Sequence, residues 1–397
     1  MNVSTAFALC AAGMALAACG SNSGAPVAPI HPQSSSTASP TPSATPVSSA
    51  APSLAPSRAP SATPSPVPTV TPSPTSSPSP IPTSSNLVSN IYVANLDKPS
   101  ITVYPPNPSG TVNEDPLATI TGSNTGLADP EGLAVDATGR IYVVANSASN
   151  YSVTVYAANP SGTLNEAPLA TITGSNTGLN VPAGVALDSS GRIYVTNDDI
   201  GGNAQSVTVY PANPSGTLNE APLATITGGA TGLTDPIGIT VDASGKIYVA
   251  NEAGSVFVYA AIPGGGGTLD EAPLATIAGP STTLREPLDV AVGSNGDVYV
   301  TDFTGSGGNG AIDVYAANPT GTLDEAPLAT ISGSNTALDG PAFLALDPSG
   351  RIYVTEPSTA SILVYGAAPS GAVNEAPLAT IHGSNTGLLA PYGIYVH

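Results

Sequence analysis

The chain has 397 residues, only 9% of them charged, with 27 acids against 7 bases and a formal net charge of −20. So acidic a surface repels nucleic acid and anionic lipid, because phosphate binding needs Lys and Arg. Both cysteines, Cys10 and Cys19, lie in the first twenty residues, so the rest of the chain holds neither a disulfide nor a thiol.

Residues 3–18, VSTAFALCAAGMALAA, are apolar and uncharged but short for a membrane span. They lead into Leu16-Ala17-Ala18-Cys19-Gly20. This resembles a bacterial lipoprotein signal, in which cleavage before the cysteine leaves a lipid-modified N-terminus. The resemblance implies a signal peptide over 1–18 and lipidation of Cys19. It also implies an exported protein anchored to the outer face of a bacterial membrane, touching lipid only through that anchor.

Residues 19–85 are almost entirely Ser, Pro, Thr and Ala, as in TPSPTSSPSPIPTSS at 71–85. Proline this dense fixes φ and removes backbone donors, and few apolar side chains remain to bury. The composition predicts a disordered, extended linker that holds a domain away from a surface.

Residues 86–397 repeat. The phrase EAPLATITGSNTGL at 166–179 returns as EAPLATITGGATGL from Glu220 and EAPLATIHGSNTGL from Glu375. Its proline falls at Pro116, Pro168, Pro222, Pro273, Pro327 and Pro377, and a second proline follows each after fourteen residues. One unit holds four short apolar runs, for example GLAVD at 132–136, IYVV at 141–144, VTVY at 153–156 and LATI at 169–172. The runs are β-branched and aromatic, bounded by Gly, Pro and Asn, and too short for helices. Four strands per period of about fifty, six times over, predict an all-β, six-bladed β-propeller with four-stranded blades.

The ends of the repeat region agree. The first unit begins at Ile91-Tyr92-Val93 without its first strand, and PYGIYVH at 391–397 aligns with PEGLAVD at 130–136. The final segment is thus a first strand that pairs with the three N-terminal strands, closing the ring and removing open edges. Twelve of the fifteen tyrosines occupy two repeat positions, on the second strands and at the ends of the third strands. There they are expected to pack between blades.

The stretch PIGITVDASGKIYVAN at 236–251 resembles the unit of NHL-repeat propellers, and YVTN at 194–197 resembles the signature of YVTN propellers of cell-surface proteins. The resemblance spans about residues 87–397. It implies the fold, and a role that in most such propellers is binding of partners.

In a propeller, second strands end and first strands begin on one face around the central channel. Here the second strands end in Asn95, Asn146, Asn197, Asn251, Asp302 and Glu356. The first strands begin near Glu131, Ala183, Ile237, Asp289, Phe343 and Tyr392, and Asp289 stands where four units have Gly. Carboxylates and amides in a ring are the hard oxygen donors Ca²⁺ takes. One reading therefore places Ca²⁺ among Glu131, Asn197, Asn251, Asp289 and Asp302, as in Ca²⁺-dependent hydrolases or lyases of the gluconolactonase type. The other reading is that these residues end strands and satisfy local backbone donors. Of the three histidines, His31 and His382 lie away from this face, which leaves His397, near the closure, as the one candidate base, and no Gly-x-Ser-x-Gly or HExxH motif occurs.

The loops after the second strands vary in length and chemistry, at 96–100, 147–152, 198–206, 252–255, 303–311 and 357–361, while the fourth strands are nearly identical. Repeat proteins place binding faces where per-repeat insertions fall. The first expectation is thus a monomeric binding module for a protein or glycan of the cell envelope. Tyr151, Asp198, Asp199, Glu252, Phe303 and Glu356 are its candidate contact residues.

Overall fold

The computed structural model describes residues 90–148, 150–199, 205–262, 266–305 and 308–397. The signal segment, Cys19 and the linker lie outside the described residues. The regular elements among them are all strands, arranged in six sheets. Among the described residues no helix is long and apolar enough to cross a membrane.

Each sheet is one blade. In blade 2, strand Pro130–Val135 pairs with Ile141–Ser147, which pairs with Asn150–Tyr156, which pairs with Ala170–Thr173, all antiparallel. Blades 3 to 6 repeat this order from Pro182, Pro236, Pro287 and Leu344. Blade 1 takes its innermost strand from the far end of the chain: Pro391–Val396 pairs with Ile91–Asn95, with Ile91 opposite Val396 and Tyr92 opposite Tyr395. The ring closes as the repeat alignment predicts.

The four strands expected per blade are present, and each blade gains a fifth. The excursion between the third and fourth strands of one unit reaches back to the previous blade. There it adds a three-residue strand parallel to that blade's outer strand: Gly162–Leu164 of unit 2 lies on Ala118–Thr121 of blade 1. The same clasp joins every neighbouring pair, and Gly110–Val112 of the first unit lies on Ala379–His382 of blade 6. The ring is therefore sealed twice, once at its inner strand and once at its rim. An edge strand this short, flanked by Gly and Asn, offers little to a further strand.

The recurring phrase follows from this arrangement. The side-chain oxygen of Asn165, just past the clasp, accepts the Asn124 backbone N–H of the preceding blade at 2.8 Å. Asn219, Asp270, Asp324, Asn374 and Asn113 do the same at the other junctions. Gly122, at φ +116°, has no room for a Cβ, which would lie 2.5 Å from the Asn165 side chain. A buried threonine of the same loop presents its carbonyl to the tyrosine that ends the next blade's third strand: Tyr156 donates to Thr125, Tyr210 to Thr177, Tyr259 to Thr231, Tyr315 to Thr282 and Tyr365 to Thr336. The tyrosines thus pack between blades, as expected, and also tie them by hydrogen bonds.

On the face of the first-to-second-strand turns, the bases are committed. Arg140, Arg192 and Arg351 pair with Asp136, Asp188 and Asp347 four residues earlier. Arg140 also donates to Asn213, Lys246 to Asn318 and Arg351 to Asn107, each in another unit's turn. Burial pushes the Asp136 carboxyl up, but hydrogen bonds from Thr138 and Arg140 outweigh it and hold the group below the usual carboxylate range.

Candidate functional site

The opposite face carries the starts of the inner strands and the ends of the second strands. In blade 3, for example, Pro182 stands opposite Asn197, Asn197 opposite Ser206 and Ser206 opposite Thr227. Here the repeat is least regular, and the residues singled out from the sequence separate into three roles.

The second-strand ends are caps. Asn197 accepts the Asn180 N–H at 3.0 Å and donates to Thr208. Asn251 accepts from Thr234 and Asp235, Asp302 from Arg285 and Glu286, Asn95 from Leu389 and Glu356 from Asp339. Each ties down the connector that enters its own blade, and all five are almost wholly buried. Burial pushes Asp302 up and Glu356 up to about 8. Asn146 does not belong in this series. Ala145 stands opposite Pro130, where the other blades place Asn197, Asn251 and Asp302, so Asn146 sits one residue further on.

Asp289 is a joint at the channel wall. Gly132, Gly184, Gly238 and Gly393 occupy its place in other blades, where a Cβ would strike the neighbouring inner strand at 2.1–2.5 Å. At Gly238 the neighbour is the Asp289 carboxylate itself. That carboxylate accepts the Leu344 N–H of blade 6 at 3.0 Å, while the Asp289 N–H donates to Thr301. Its burial pushes the group up to about 7. It lines a cavity of about 570 Å³ that runs through the channel between the inner strands.

The third group is an arc of carboxylates on four consecutive blades. Glu131 begins the inner strand of blade 2, Asp198 and Glu252 follow the second strands of blades 3 and 4, and Glu286 precedes the inner strand of blade 5. Neighbouring charges repel these groups: Asp198 acts on Glu131, Asp235 and then Glu252 act on Asp198, and Glu252 acts on Glu286. Burial, then these neighbours, push Glu131 up to about 8 and Asp198 up to about 7; burial ahead of its charged neighbours raises Glu286 as well. Glu131 accepts one bond from Asn146 at 2.9 Å. Asp198 is only 3% exposed, and its Oδ1 has no hydrogen-bond partner; neither has Oε2 of Glu286. Ala183, Ile237, Leu288 and Ala342, at the position that Glu131 holds in blade 2, share one apolar cluster with Phe343, and Phe303 and Tyr392 are half-buried against it.

Sequence reasoning found Glu131, Asp198 and Glu252 but treated them as members of different sites. It missed Glu286, whose signal was its place before a first-strand proline. Of the expected loop contacts, Asp198, Glu252 and Glu356 are turned inward rather than displayed, Phe303 packs on Gly340, and Tyr151 lies in the extended third strand of blade 2. Of the five residues expected around Ca²⁺, Glu131 lies in the arc, Asn197, Asn251 and Asp302 cap loops, and Asp289 joins two blades. Among the described residues, no three of His, Cys, Asp and Glu are grouped so as to hold a metal ion.

A family model described as NHL repeat matches residues 284–310. No curated protein matches the chain. A chain of a nidogen/laminin complex is 16% identical, with a TM-score of 0.49, over 78% of this chain and 98% of that one. A protein of unknown function from Bacteroides caccae is 11% identical, with a TM-score of 0.49, over the same shares of both chains. The PQQ-bound aldose sugar dehydrogenase from Streptomyces coelicolor is 16% identical, with a TM-score of 0.42, over 69% and 82%. With six closed blades the chain is a six-bladed β-propeller, and the start of its fifth blade is similar to the NHL repeat.

Proposed function

We propose that this protein is a binding module of the bacterial cell envelope, engaging a protein or glycan partner through the face that carries the loops after the second strands. One observation carries the reading. The rim repeats its clasps and tyrosine bonds at every junction, and on the opposite face three blades carry the same Arg–Asp pair. The loops after the second strands differ in length and chemistry from blade to blade, and two buried carboxylate oxygens without a hydrogen-bond partner, on Asp198 and Glu286, lie on their face. Sites grafted on a regular scaffold are expected where regularity stops.

A photo-crosslinking residue placed at Lys98 or Thr359, in two of those loops, should capture the same envelope partner. One at Ser370, in a turn of the opposite face, should not. Equal capture from Ser370, or none from the loop positions, would count against the reading. A glycan ligand would instead appear as binding lost when the 357–360 loop is replaced by glycines and kept when Ser370 is changed. The envelope position rests on the residues around Cys19, and Cys19→Ser should abolish labelling with a fatty-acid analogue.

A further inference from the structure

We propose that the acidic arc receives an arginine side chain of the partner protein, with its guanidinium against Asp198 and its methylenes toward the apolar side chains that flank the arc. The inference rests on the loop-face reading and names the chemistry of its centre.

Three observations carry it. The first is the unpartnered Oδ1 of Asp198, an atom shut off from water in a side chain that is 3% exposed. A buried acceptor left unmade is costly, and a donor delivered to it removes the cost. The second is the spread of charge. Glu131, Asp198, Glu252 and Glu286 come from four blades and do not converge as a metal's donors must. A guanidinium presents five N–H donors in a planar fork and is weakly hydrated, so it suits dispersed carboxylates better than a compact ion does. The third is the apolar lining. Ile237 and Leu288 stand where Glu131 stands in blade 2, so apolar side chains flank the carboxylates, which matches a cation carried on an aliphatic stem.

The test uses the full chain with labelled Ile and Leu methyl groups, and the probe is acetyl-Gly-Arg-Gly-amide. At millimolar concentration the peptide should shift the Ile237 and Leu288 methyl resonances saturably. The same peptide with neutral citrulline in place of arginine should leave them unmoved. Asp198→Asn should weaken the arginine peptide about tenfold, the worth of a charge-assisted hydrogen bond. Glu166→Gln, on the exposed rim, should leave it unchanged. Equal shifts from citrulline, no shift from arginine, or an unaltered affinity in Asp198→Asn would overturn the inference. Saturation of the same methyl shifts by calcium chloride at lower concentration would overturn it in favour of a metal. The two readings fail separately. A crosslinked partner that binds Asp198→Asn as tightly as the natural protein sinks the arginine while sparing the loop face.

Discussion

The Tyr104 hydroxyl donates to the Thr386 carbonyl oxygen at 2.7 Å, joining the first blade to the sixth across 282 positions of sequence. It is the closing member of the set of six tyrosine bonds, identical in kind to the bond from Tyr210 to Thr177 within the ring. Tyr104→Phe leaves a buried carbonyl unpaired and should lower stability by about 1–3 kcal/mol. Tyr210→Phe should lower it by the same amount in urea unfolding. A much larger loss for Tyr104 would mark the closure as weaker than the other junctions.

Gly122→Ala meets two obstacles, a left-handed backbone and the Asn165 side chain. The expected loss is about 2–4 kcal/mol from strain and overpacking together. Adding Asn165→Ala removes the obstructing atoms but not the φ strain. The double variant should therefore lose less than the sum of the two single losses, as measured by urea titration of all three.

Ala368 stands at φ +48° in the turn where Asn107, Asn159, Asn213 and Asn318 stand in other units. Asparagine tolerates this region and alanine does not. Ala368→Asn should raise stability by about 0.5–1 kcal/mol, visible as a higher thermal midpoint. An unchanged or lowered midpoint would refute the strain argument.

Folding raises the carboxyls of Glu131, Asp198, Asp289 and Glu356, each through burial first, to about 8, 7, 7 and 8. A raised acid is most favourable to the fold while protonated in both states. Its contribution is lost as pH rises from the unfolded value through the folded one. Asp136, Asp188, Asp242 and Asp347 are held low and act in the opposite sense, losing their contribution as pH falls below the usual carboxylate range. Stability should therefore be highest near pH 5 and should fall by about pH 8. Asp198→Asn should reduce that fall, and a urea midpoint that rises between the two pH values would contradict this.

Architecture was legible because the proline offset is constant and each apolar run is short, so the four long strands of each blade, the blade number and the ring closure follow from spacing alone. The clasp was not legible. Gly162-Thr163-Leu164 is three residues long, carries little hydrophobic signal and pairs with another unit, so no periodicity within its own unit reveals it. The site was legible only in part. Asn197 and Asp302 have the composition of ligands, yet the backbone donors that occupy them come from connectors whose path the sequence does not state. Asp198 was read as displayed because it begins a long loop. Its inward burial depends on the neighbouring blades.

The double seal has a consequence for how the ring is made. Residues 110–112 and 91–95 are synthesised first, yet their partners at 379–382 and 391–396 come last. At ribosomal speeds of ~5–20 residues/s, the first blade waits roughly 15–60 s without its inner strand and with a clasp that has nothing to hold. Blades 2 to 5 can assemble in that interval as a growing arc. Its two ends display matching edges, and until residue 379 emerges each is as ready to join a second chain as its own.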